Sequence, residues 1–171
     1  MPAGKVRTMV VTVLLALGSA GAAEGWEGPW TAHIRTVDEA LDRSDADAAA
    51  RAWQEAYVAA LGSLRWEGML AVGDASLRIA QVSGRRQTAA ATARNAFLAA
   101  LFRARQQDSL DGILRTAEAF VHLGDREMAE QCLRLARDLA AKSADAGAEP
   151  RVRALATRLA EWPATAGRTT R

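Results

Sequence analysis

Residues 108–142, DSLDGILRTAEAFVHLGDREMAEQCLRLARDLAAK, constrain this chain more than any other stretch. Apolar residues recur at Leu110, Ile113, Leu114, Ala117, Phe120 and Val121, the spacing of one face of an amphipathic helix. Leu123-Gly124-Asp125 interrupts that pattern. Glycine suits the left-handed residue that ends a helix, and aspartate suits the N-cap of the next one. A second helix then carries Ala129, Leu133, Ala136 and Leu139 along one side. Helices joined by so short a turn lie antiparallel and pack together. The small side chains of Ala129 and Ala136 let the two backbones approach closely.

The order alanine, large apolar residue, alanine occurs twice more, at Ala49, Trp53, Ala56 and at Ala93, Phe97, Ala100. Together with the hairpin's Ala117, Phe120, Gly124, Asp125, Ala129, Leu133 and Ala136, this pattern resembles the tetratricopeptide (TPR) repeat. The resemblance covers roughly residues 29–142 and is strongest over 110–142. It implies an all-α fold of antiparallel helical hairpins stacked as a short solenoid, with about three hairpins. An irregular helical bundle is the alternative. The three spacings begin 44 and 36 residues apart, whereas the family's period is about 34. The first helices of the first two hairpins match the family pattern poorly.

Read in order, the elements fit that plan. Residues 23–28 form a Gly- and Trp-rich arm, expected to be flexible. The first helix has two possible starts, Pro29 or the capping pattern at Thr36, with Ile34, Val37, Ala40 and Leu41 on its apolar side. Asp45 is a good N-cap for the next helix, and Gly62-Ser63 reads as the following turn. Trp66, Met69, Leu70, Gly73, Leu77 and Ala80 line a third helix. Gly73 inside it costs about 1 kcal/mol against alanine, which points to a close helix crossing. After Ser83-Gly84 a long helix runs from about Gln87 to Gln107. Pro150 opens a last helix, with Val152, Leu155, Ala156 and Leu159 inward, suited to capping a solenoid. Residues 163–171 carry no apolar pattern and are expected to be disordered. No segment alternates with period two long enough to form a strand. The expected domain is therefore residues 29–162.

Residues 1–22 have the layout of a secretory signal peptide. Lys5 and Arg7 come first, then the apolar run Met9 to Leu17, then Ala20-Gly21-Ala22 as a cleavage site. The run is shorter than the about 20 residues that span a bilayer, so no integral span is expected after cleavage. An exported location, periplasmic or secreted, follows. Losing Lys5 and Arg7 leaves 20 bases against 20 acids. The overall basic balance is thus no footprint of nucleic acid. Cys132 is the only cysteine, and its place beside Leu133 reads as a small buried apolar side chain.

The sequence points to no catalytic or cofactor chemistry. Two histidines and one cysteine fit no usual zinc spacing. There is no Gly-rich phosphate loop and no nucleophile elbow. Glu118 and His122 share a helix face but imply no further ligand. Two polar faces do match. Asp111, Arg115, Glu118 and His122 are offset by 0, 4, 7 and 11 residues, and Glu67, Ala71, Asp74 and Arg78 repeat those offsets. In the family that this chain resembles, the first helices of successive repeats line a partner-binding groove. The resemblance therefore implies a candidate groove of Glu67, Asp74, Arg78, Asp111, Arg115, Glu118 and His122. In it, arginine would fork onto a partner carboxylate. The expected function is an exported scaffold that binds another protein or a peptide. The alternatives are a carrier of a small apolar ligand, resting on Trp53, Trp66, Phe97 and Phe102, and a non-catalytic subunit of an envelope enzyme complex.

Overall fold

The computed structural model describes residues 27–162. The expected leader, most of the arm and the tail lie outside them. The described residues form seven helices and no strand: α1 (Thr31–Asp42), α2 (Ala46–Ser63), α3 (Trp66–Ser83), α4 (Arg86–Gln106), α5 (Leu110–Leu123), α6 (Arg126–Ala140) and α7 (Ala148–Glu161). None of these helices is long and apolar enough to cross a membrane.

Several ends follow local chemistry. Asp45 Oδ1 accepts from Ala48 N at 2.9 Å, and Asp125 Oδ1 accepts from Met128 N at 3.2 Å. Ser109 caps α5 through Gly112 N at 3.0 Å. Gly84 and Gly124 take left-handed conformations with φ of 74° and 85° and close α3 and α5.

Other ends depart from expectation. The first helix starts at Thr31, at neither proposed residue. Gly28 is drawn into its opening turn, donating to Thr31 Oγ1 at 3.0 Å. Trp30 folds under that turn and is only 2% exposed. Its ring covers Gly68 of α3, where an added Cβ would lie 2.8 Å from it. Gly62-Ser63 is not a turn, since α2 continues through both and ends on Leu64, left-handed at φ 57°. The stop comes from far along the chain. Arg103 of α4 donates to Ala60 O at 2.9 Å, Arg65 O at 3.0 Å and Leu61 O at 3.1 Å, and Gln107 Nε2 donates to Leu64 O at 3.0 Å. Helix α7 begins two residues before Pro150, which is tolerated in a first turn, where its missing N–H has no helical partner.

The helices pair as hairpins α1–α2, α3–α4 and α5–α6. Successive hairpins meet through α2–α3 and α4–α5. A second set of contacts joins α1 to α3, α3 to α5 and α5 to α7. This is an all-α hairpin solenoid in which the first helices form one row, with α7 in the place of a fourth. The repeated alanines Ala49, Ala56, Ala93, Ala100, Ala129 and Ala136 are all fully buried. Gly73 has the close crossing its position predicts: a Cβ there would land on the ring of Phe97. Phe97 meets Phe120 edge-on, with centroids 5.8 Å apart, which links the second and third hairpins through one core. Cys132 lies in that core, and burial pushes its thiol up to about 12, in keeping with a small apolar role.

Candidate functional site

The row of first helices encloses a cleft of about 460 Å³. Helix α1 contributes Ile34 and Asp38. Helix α3 contributes Leu70, Ala71, Asp74 and Arg78. Helix α5 contributes Arg115, Glu118, Ala119 and His122. Residues four or so apart on one helix share a face, and each helix turns such a face to the same space. The cleft is apolar along Ile34, Leu70, Ala71 and Ala119 and charged elsewhere.

Five of the seven residues singled out in the sequence line this cleft: Asp74, Arg78, Arg115, Glu118 and His122. Glu67 and Asp111 do not. Glu67 is 7% exposed, held by Arg65 through an Nη2–Oε1 contact of 2.6 Å and an Nε–Oε2 contact of 3.3 Å. The carboxylate raises the Arg65 guanidinium above its ordinary value, through that hydrogen bond first and its charge second. Asp111 lies where α5 meets α7, 2.7 Å from Arg151 and 3.4 Å from Arg115.

Most charges near the cleft are already matched within the chain. Arg78 places Nη2 at 2.8 Å and Nε at 3.1 Å from Asp38 Oδ1. Arg158 of α7 reaches Glu118 at 3.0 Å. These two pairs, and Arg151 with Asp111, each join an acid on one first helix to an arginine on the next, 40 residues later. All are solvent-exposed, so each contributes roughly 0.2–1 kcal/mol. Asp38, Arg151 and Arg158 escaped the sequence analysis, although the constant offset of 40 residues was the signal that could have found them.

Asp74 differs. Its side chain reaches solvent, yet the surrounding cleft walls remove enough water to push its carboxyl above the usual range. Arg78 and then His122 pull it partly back. Among the described residues it makes no hydrogen bond and no ion pair.

The four aromatic residues proposed for an apolar ligand do not surround one space. Trp66 and Phe97 are core, while Trp53 stacks on Tyr57 at 5.2 Å and donates to Val72 O at 2.7 Å. Phe102 is 62% exposed, against the expectation that it belongs with them. A second cleft of about 450 Å³ lies among α2, α3 and α4, walled largely by alanine, threonine and serine with Asp47 and Arg85 as its charges. Among the described residues no three His, Cys, Asp or Glu side chains gather to hold a metal ion. Glu118, one of the two potential ligands noted in the sequence, is engaged by Arg158.

No protein-family model, no curated protein and no solved structure matches this chain.

Proposed function

We propose that this chain is an exported, TPR-like scaffold whose row of first helices holds a segment of another protein. One observation carries the reading: a single cleft lined by polar side chains from α3 and α5, with an apolar strip for the segment's aliphatic atoms. Such a mixture of an apolar strip and a few convergent polar groups is typical of binding sites. The TPR-like part draws on the hairpin's sequence signature and on Gly124 and Asp125, which end α5 and cap α6 as that signature requires. The export part draws on residues 1–22 alone, and a mature mass beginning at Ala23 or Glu24 is its expected outcome.

Site-specific photo-crosslinking tests the binding surface. A benzophenone side chain at Arg115, in the cleft, is expected to give protein adducts in the source cell's envelope fraction. The same group at Arg134, on the exposed side of α6, is not. Equal adducts from both positions, or adducts from Arg134 alone, would refute the cleft as the docking surface.

A further inference from the structure

Of the three carboxylates that line the cleft, Asp38 and Glu118 are paired within the chain and Asp74 is not, among the described residues. At the α1–α3 junction Asp38 meets Arg78, and at the α5–α7 junction Asp111 and Glu118 meet Arg151 and Arg158. Each arginine follows its acid by 40 residues. At the intervening α3–α5 junction Asp74 stands without an ion pair among the described residues, at the α3 wall of a cleft with apolar Ile34, Leu70, Ala71 and Ala119. Arg78, the cation on its own helix, is committed to Asp38 through two hydrogen bonds, and Arg115, the other arginine of the cleft, faces Asp111 at 3.4 Å.

An apolar strip leading to an unmatched carboxylate suits one kind of side chain: a long aliphatic stem with a cation at its end. The stem covers apolar surface while the head makes charge-assisted hydrogen bonds. This reverses the polarity expected from the sequence, in which arginines of the groove held a partner's carboxylate. We infer that the occupant of the cleft is a basic segment of a partner protein, anchored by one lysine or arginine whose charged head rests on Asp74. The inference depends on the cleft being a partner-binding surface, as proposed above.

The test uses acetylated, amidated nonapeptides of alanine and serine with two leucines, identical except for a central lysine, arginine, norleucine or glutamate. Binding to the purified chain is followed by fluorescence anisotropy. The lysine or arginine peptide is expected to bind about tenfold more tightly than the norleucine peptide, the scale of one charge-assisted contact. The near-isosteric Asp74→Asn variant is expected to bring those peptides to within about twofold of each other, since only the charge is removed. Asp74→Lys is expected to favour the glutamate peptide. A wild-type preference for glutamate, or an undiminished lysine preference in Asp74→Asn, overturns the inference. Ala71→Trp, with folding checked by circular dichroism, separates the two layers of the argument. If it blocks every peptide while Asp74→Asn keeps its lysine preference, the cleft stands and the anchor on Asp74 falls. If it binds every peptide as wild type does, or if wild type binds none, the cleft reading fails and the anchor with it.

Discussion

Gly73 and Gly62 lie in neighbouring helices and answer to opposite demands. Gly73 presses against Phe97, which is fully buried and has nowhere to move. Gly73→Ala is expected to cost about 1–3 kcal/mol in urea denaturation, as overpacking does. Gly62 has nothing within 4 Å of an added Cβ and lies inside α2. Gly62→Ala is expected to stabilise by roughly 0.5–1 kcal/mol, the helix preference for alanine over glycine. The first glycine was legible in the sequence because it interrupts an apolar stripe. The second was misread as a turn, because composition alone does not tell an unneeded glycine from a required one. Asp74 gives a pH signature. Burial raises its carboxyl above the ordinary range, so the native state holds that proton to higher pH than the unfolded chain. Its contribution is most favourable below the unfolded value and is lost as pH rises through the folded one. Asp74→Asn is therefore expected to melt higher than wild type near pH 7, with the gap closing toward about pH 3, below an ordinary aspartate pKa. A gap that widens on acidification would show that Asp74 is stabilised by its neighbours instead.

At the scale of elements, the ends of helices separate what is local from what is not. Asp45, Asp125, Gly84 and Gly124 act on backbone groups within a few residues, and all four could be read from sequence. The end of α2 could not, because its carbonyls are held by Arg103, more than forty residues later for two of them. Burial lowers that guanidinium's affinity for its proton, partly offset by Tyr57, but it stays charged and forks across three carbonyls. Arg103→Ala is expected to cost about 2 kcal/mol, the scale of hydrogen bonds from a charged donor. It should also speed amide exchange in the last turn of α2. Arg103→Lys is expected to recover little of either, because an ammonium cannot reproduce the planar fork. Full recovery by lysine would mean that charge, not geometry, terminates this helix.

Across the whole molecule, the stacking order was legible from three buried alanine pairs, and the row of first helices follows from it. The cleft was legible in part. The repeated offsets on α3 and α5 led to five lining residues but missed α1 entirely, since Asp38 has no counterpart in that pattern. Glu67 was misplaced because periodicity reports the face of a helix and not what folds over it. Here Arg65 grips the carboxylate from two residues away. Helix α7 buries Val152, Leu155 and Leu159 against the third hairpin. A chain ending at Lys142 is expected to expose that surface and self-associate in sedimentation velocity, as solenoids without a capping element do. A monomer with an unchanged melting temperature would show that α7 is dispensable. The arginines of α7 stand in the same 40-residue relation to α5 as Arg78 of α3 does to Asp38 of α1. The final helix thus docks as an internal one would, so this end of the array is a matter of splicing rather than of geometry. On the proposed reading of the cleft, the number of hairpins that precede α7 sets how many side chains a bound segment presents, and selectivity would lengthen by whole modules without redesign of the cap.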